Sequence, residues 1–275
     1  MVFVTIVLFL SMGFARKKHP PVAEKQSSLS VADLIVDSDI LKGSLARDSI
    51  ANTDPCLVEE GCLLRTHPNG HRFRDPIERR QLLRFSTRIW NVGSADVVVG
   101  RPPYPEGVVP PDPNEVFPPY WEYSGCHGHF HLAGYAVHDL LHADNRSLVE
   151  EVGGTKTGFC MRDNVCRAGS TARYDCSNQG ITAGCADHYG AELACQWVDI
   201  TDVRNGRYIL RVTVNANRFL NESNYDNNVG EIEFTLSATS PATFTSPQQR
   251  VGTVLFLTVG LLVIVGLLAV LLSAM

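Results

Sequence analysis

Charge is scarce in this chain and none of it gathers into a basic block: charged residues make up 19%, and the formal net charge is -5. That sets aside nucleic acid and an anionic surface as obvious partners, since both are held through clustered Lys and Arg. Sustained helical periodicity is hard to find, which argues against a bundle. No internal repeat is visible, which argues against a solenoid or propeller. What is present is a series of short β-rich runs bounded by turn residues, at 82–92, 95–99, 130–140, 195–200, 208–214 and 231–236. Along Tyr208-Ile209-Leu210-Arg211-Val212-Thr213-Val214 the side chains alternate, as a strand with one buried face requires. The pattern predicts a mainly β protein, a β-sandwich core with long disulfide-bridged loops. Residues 101–119 are dense in proline and glycine. Residues 153–190 hold four cysteines and few apolar runs, so covalent bridges must order them.

The ends read differently from the body. Residues 2–14 are apolar and close on Gly13-Phe14-Ala15, followed by Arg16-Lys17-Lys18, which predicts a signal peptide over 1–15. The run is too short to span ~30 Å of hydrocarbon as a helix. Residues 16–31 have no pattern and are expected to form a flexible leader. At the other end, 251–275 is apolar throughout and follows a polar linker at 237–250. It is long enough to cross a bilayer, yet its flanking charge, Arg250, would lie outside, against the positive-inside bias. Small residues at Ser237-Ala238-Thr239, a polar spacer and an apolar terminus match a GPI-attachment signal. The expectation is an extracellular protein tethered to the cell-surface membrane by a GPI anchor or a single spanning helix. Eight cysteines, an even count in an oxidising compartment, read as bridges. The triplets beginning at Asn145 and Asn221 are N-glycosylation acceptors.

The chemistry concentrates in Cys126-His127-Gly128-His129-Phe130-His131. Three imidazoles at i, i+2 and i+4 point to one side of an extended chain, whereas on a helix i and i+2 diverge. Neutral imidazole suits zinc, copper, iron or nickel; with no thiolate or carboxylate in the triplet and an oxidising compartment, copper(II) is the first choice. Three ligands leave positions open for water, oxygen or substrate. A surface histidine run and a closed structural zinc site are the plainer readings.

Around this triplet the chain resembles the catalytic domain of the lysyl oxidase family. The matching text is Trp121-Glu122-Tyr123 and the histidine run itself, Lys156-Thr157-Gly158-Phe159-Cys160, Tyr189-Gly190-Ala191-Glu192, and Cys195-Gln196-Trp197-Val198-Asp199-Ile200-Thr201-Asp202-Val203. It extends upstream through Glu59-Glu60-Gly61-Cys62-Leu63 and Leu83-Arg84-Phe85, and downstream through 222–228, so the likeness covers residues 32–236 as one domain. The resemblance implies a copper-dependent amine oxidase with a cofactor made from its own side chains, lysine tyrosylquinone. Lys156 and Tyr189 match its precursors. It further implies oxidation of primary amines, peptidyl lysine among them, by molecular oxygen, with release of aldehyde, hydrogen peroxide and ammonia.

The general base is open: His138 and Asp139 lie on the run leaving the metal, where the local spacing differs by one from the animal pattern. The resemblance also implies four bridges, Cys56 with Cys126, Cys62 with Cys195, Cys160 with Cys176, and Cys166 with Cys185; spacing alone could not choose among the connectivities. A fifth bridge of the animal members has no counterpart, since no cysteine follows Cys195. Calcium is suggested by Asp33, the carbonyl of Leu34, Glu222, Asn224, Asn227 and Asn228, hard oxygen donors of the kind it takes, although Asn-rich turns have the same composition. The competing functional readings are a non-catalytic copper- or zinc-binding module and a copper monooxygenase that needs no quinone.

Overall fold

The computed structural model describes residues 31–50, 54–66, 79–111, 117, 120–156 and 158–237. The expected signal peptide, nearly all of the leader, the linker beyond residue 237 and the apolar C-terminal segment lie outside the described residues. Among the described residues, no helix is long and apolar enough to cross a membrane.

Among the described residues the fold is mainly β, with two short helices, Ser38–Ser44 and Pro55–Glu59, and every strand pairing antiparallel. One sheet runs in the order Leu34–Val36, Thr87–Asn91, Cys185–Tyr189, Val165–Cys166, and another in the order Val229–Leu236, Gly206–Val214, Ala136–His142. Leu34–Val36 packs across Gly206–Val214 and Val229–Leu236, so these two sheets face each other. Leu34, Ile89, Leu140, Leu210 and Val212 lie between them, each at most 2% exposed. Removing such aliphatic side chains from water contributes roughly 1.5–3 kcal/mol apiece.

Two of the β-rich runs break where the chain changes sheet. Residues 82–92 divide into Arg80–Arg84 and Thr87–Asn91, which belong to different sheets. The crossing residues are held from outside: Phe85 is fully buried, and the Ser86 backbone N–H donates to Ser44 Oγ at 2.7 Å. Residues 130–140 likewise become His129–Ala133 and Ala136–His142, separated by Gly134 at φ +69° and by buried Tyr135. Alternation marks a strand but not the sheet it joins.

A third sheet places the site: Trp121–Ser124, His129–Ala133 and Gly158–Phe159, in that order. The structure contains the disulfides Cys56–Cys126, Cys62–Cys195, Cys160–Cys176 and Cys166–Cys185. The first two fasten the segment around the Pro55–Glu59 helix to the turn before His129 and to the loop after Tyr189. That helix has Asp54 as N-cap, accepting from the Cys56 N–H at 3.0 Å. It buries none of its own residues, so the bridges hold it.

Residues 153–155 then run against this pinned segment. Leu64 N–H donates to the Gly153 carbonyl at 2.5 Å and Thr155 N–H to the Gly61 carbonyl at 3.0 Å. Gly154 sits at φ +139°, and a Cβ there would lie 2.7 Å from the Cys62 carbonyl carbon and the Gly61 oxygen. Only glycine fits both the dihedral and the approach. Gly154→Ala is therefore expected to cost about 2 kcal/mol or more and to lower the melting temperature by roughly 4–8 °C. Differential scanning calorimetry checks this, and an unchanged melting temperature contradicts it.

Candidate functional site

The three imidazoles converge, but not from one strand. Residues 125–128 form a turn between Trp121–Ser124 and His129–Ala133, so His127 projects from the turn while His129 and His131 project from the strand. Gly128 at φ +68° lets the chain reverse between them. The ring centroids are 5.6, 5.0 and 5.0 Å apart for the 127–129, 127–131 and 129–131 pairs. One nitrogen from each ring lies within 4.8 Å of the others.

These residues fit a metal. His127 Nδ1 and His131 Nε2 are 3.0 Å apart, close to the separation of two ligands that each sit roughly 2 Å from a common ion at near a right angle. A shared proton would explain that contact, but not His129, whose Nδ1 is buried without a hydrogen-bond partner. Metal binding needs neutral imidazole, and all three are depressed. Burial is the first cause in each case, and it pushes His131 down to about 3 with help from the nearby Lys156.

One cavity of about 470 Å³ is lined by His127, His129 and His131 together with Lys156 and Tyr189. Lys156 is 5% exposed, and its Nζ lies 3.0 Å from Glu60 Oε2 and 5.6 Å from the centre of the Phe159 ring. The Tyr189 ring meets the same Phe159 edge-on at 5.2 Å, and its hydroxyl donates to the Cys160 carbonyl at 2.5 Å. Burial, then the neighbouring Asp187, holds that phenol well above its usual range. Glu106, Arg162, Asn164 and His188 complete the polar lining. Glu106 is largely exposed and lies 3.8 Å from His129 Nδ1.

His138 and Asp139 lie elsewhere. Both line a separate cavity with Leu64, Leu140 and Val152. His138 packs edge-on against Phe85 at 4.9 Å and Phe159 at 5.6 Å, and its Nδ1 faces Thr155 Oγ1 at 3.3 Å. Phe159 thus contacts Lys156, Tyr189 and His138 at once.

The oxygen-rich cluster is brought together in part. Asn227 donates to Asp33 Oδ1 at 2.9 Å, and Glu222 accepts from the Leu34 N–H at 2.6 Å and from Asn228 at 2.8 Å. Asn227 Oδ1 and Asn228 Oδ1 are buried without hydrogen-bond partners. Asn224 is exposed, and its side-chain oxygen accepts from the Asp226 N–H at 3.0 Å. Asn145 and Asn221 are both exposed.

Comparison with known proteins supplies the context. The lysyl oxidase family model matches residues 32–244. The chain belongs to the lysyl oxidase family. It is 38% identical over 202 residues to protein-lysine 6-oxidase of Homo sapiens, a match covering 72% of this chain and 44% of that protein. The Sus scrofa protein-lysine 6-oxidase is 39% identical over 181 residues, 65% of each chain. Lysyl oxidase homolog 1 of Homo sapiens is 35% identical over 210 residues, 74% of this chain and 33% of that one. The chain therefore spans from a third to about two thirds of these relatives.

Three residues at the site were not singled out from sequence. Phe159 and Glu60 lay inside matching text without a role, since nothing local says that an aromatic ring will contact Lys156, Tyr189 and His138 together or that a glutamate will meet a lysine far along the chain. Asp187 had a usable signal: it is two residues before Tyr189 on one strand, hence on the same face. It is 1% exposed, and burial drives its carboxyl well above the usual carboxylate range.

The buried His138 yields a prediction. Burial first, then Lys156, pushes it down to about 3 from 6.5. Between these values the unfolded chain binds a proton that the folded chain refuses, so stability is lost as pH falls below about 6.5. At about pH 5 the loss from this group is on the order of 2 kcal/mol. Urea unfolding at about pH 7 and pH 5 should show that much less acid sensitivity in His138→Asn than in wild type, and equal losses contradict it.

Proposed function

We propose that this lysyl oxidase family member is a copper- and lysine tyrosylquinone-dependent amine oxidase. It converts primary amines, lysine side chains of proteins among them, to aldehydes, with release of hydrogen peroxide and ammonia. The observation that carries this reading is the single cavity lined by the three imidazoles, Lys156 and Tyr189. A non-catalytic metal module needs the imidazoles alone and gives no reason for a buried lysine and a phenol beside them.

Bound at His127, His129 and His131, copper(II) would supply the redox and Lewis-acid chemistry for making a quinone from Tyr189, and the quinone with Lys156 would supply the electron sink for amine oxidation by O2. The rest is done by the chain. Phe159 forms an apolar wall on which both precursors rest, and the Tyr189 hydroxyl, held by the Cys160 carbonyl, fixes the ring's tilt. A side-chain amine reaches the cavity past the carboxylate of Glu106, which attracts a cation at the mouth. A volume of about 470 Å³ admits a lysine side chain but not a folded domain, so a protein substrate presents an exposed loop or terminus. Leu193 and Ala194 add apolar surface to the lining.

Calcium completes the reading. Asn227 and Asn228, whose amide nitrogens donate to Asp33 and Glu222, each keep a buried, unpartnered amide oxygen, and amide and carboxylate oxygens are donors of the type this cation collects. Such a site would stitch the Leu34–Val36 end to the turn at 221–228. Extracellular calcium is the natural supply, and four disulfides fit the same oxidising compartment. The C-terminal segment would keep the enzyme at a cell surface.

Peroxide release across a panel of free amines and lysine-rich proteins tests the activity. Lys156→Ala is expected to abolish it and any phenylhydrazine-reactive chromophore while copper stays bound, measured by metal analysis. Activity that survives the substitution would assign the chemistry to the metal alone, and a wild-type chain with copper but no Lys156–Tyr189 crosslink in its intact mass would leave a binding module. For calcium, the expected result is a rise in melting temperature equivalent to about 2.7 kcal/mol at roughly a hundredfold excess over Kd, absent in Glu222→Gln. No shift in wild type removes the site.

A further inference from the structure

Glu60 lies behind the cavity lining, against both Lys156 and a ring of the histidine triad. It is the C-cap of the Pro55–Glu59 helix, and its backbone N–H donates to the Cys56 carbonyl. Disulfides at Cys56 and Cys62 hold the chain on either side of it. Its side chain is 8% exposed. Oε2 lies 3.0 Å from Lys156 Nζ and 3.7 Å from His131 Nδ1. Oε1 accepts from Ser124 Oγ, and that same hydroxyl oxygen accepts the His127 N–H at 3.1 Å. The opposite nitrogen of His131, Nε2, faces His127 Nδ1.

One carboxylate is thus in contact with the lysine, with a ring of the triad, and through Ser124 with the backbone of a second. Orienting contacts of this kind fix which ring nitrogen a histidine presents to an ion. We infer that Glu60 is a positioning residue: it keeps the Lys156 nitrogen inside the metal cavity and turns Nε2 of His131 toward the metal position, assembling the precursors before any bond between them forms. The inference rests on Lys156 and Tyr189 being the cofactor precursors, but its geometric content can be measured without them reacting.

The test uses the full chain with Glu60→Gln and Glu60→Asp. In metal-free protein, acylation of Lys156 by an N-hydroxysuccinimide ester, followed by peptide mass spectrometry, is expected to run about tenfold faster in Glu60→Gln than in wild type, because the nitrogen loses its charged partner. Copper affinity is expected to fall about 10–100-fold, with a changed electron paramagnetic resonance spectrum for the remaining site. In copper-supplied protein the Lys156–Tyr189 crosslinked fraction should fall to about a tenth, with Glu60→Asp recovering part of all three through its retained charge. Disulfide mapping and melting temperature establish that each variant is folded; should Glu60→Gln fail to fold, Glu60→Asp and Ser124→Ala are judged by the same readouts.

Wild-type labelling rate, copper spectrum and crosslink yield in folded Glu60→Gln overturn the inference. A wild-type chain that binds copper but never crosslinks overturns the amine oxidase reading instead, while Lys156 labelling and the copper spectrum still decide the role of Glu60.

Discussion

Everything at the site depends on holding the segment around residues 56–62 in place, because that segment cannot hold itself. Its helix is a little over one turn long and fully buries none of its residues, with Leu57 and Val58 packing half-buried against Cys62, Leu63, Leu82 and Trp197, so neither propensity nor this packing is enough to hold it. Two bridges do so instead, closing spans of 70 and 133 residues. In the chain-entropy view, loops of that length are where a crosslink removes most freedom from the unfolded chain. The ends of these bridges are also informative: one fastens to the turn that carries His127, the other to the loop that follows Tyr189. Covalent bonds therefore join the pinned segment to both sides of the cavity, and backbone hydrogen bonds to the Gly61 carbonyl and from the Leu64 N–H add residues 153–155, which lead to Lys156. Four pieces of chain with little reason to meet are made one site.

Phe159 then joins the side chains brought together there. Its ring receives Lys156 and Tyr189 on the cavity side and His138 behind, with Phe85 and Tyr135 closing the rear. An aromatic ring in that position keeps a low dielectric next to the lysine and phenol, which raises the consequence of each nearby charge. His188, lowered by burial first and then by Arg88, lines the same cavity as the lysine and phenol, whereas His138 lines the other one.

What could be read from sequence follows the range of the interactions. The alternation in His127, Gly128, His129, Phe130, His131 is a local signal, and the structure gathers the rings as that alternation suggests, although a turn rather than the strand aims His127. The mainly β character and the strand at 208–214 are local too. Lys156 and Tyr189 have no local signature, and only their resemblance to a family motif brought them forward. The break at Phe85 and Ser86 and the role open to Glu60 could not be read, because each is set by partners far along the chain: Ser86 by Ser44, Glu60 by a lysine 96 residues away. Sequence pattern reports which face of an element is apolar. It does not report which other element will cover that face.

Two buried ion pairs lie close together in this fold, and the contrast between them bears on function. Arg80 and Asp199 meet at 3.1 Å with side chains 1% and 0% exposed. Arg80 also donates to the Leu64 carbonyl, and Asp199 accepts from both the backbone and hydroxyl of Thr201. Their partners are chain, and the Asp199 backbone accepts from Gly153 N–H while donating to the Gly154 carbonyl, so the pair latches the segment that leads to Lys156. Lys156 and Glu60 form a pair of similar depth, but one whose lysine is part of a cavity wall. Desolvating two charges offsets most of their attraction, and apolar residues of similar volume commonly serve stability as well or better. A latch can justify that cost through the backbone it orders. A lysine that lines a cavity beside three imidazoles orders little backbone, so the gain in stability that accounts for the first pair does not account for the second.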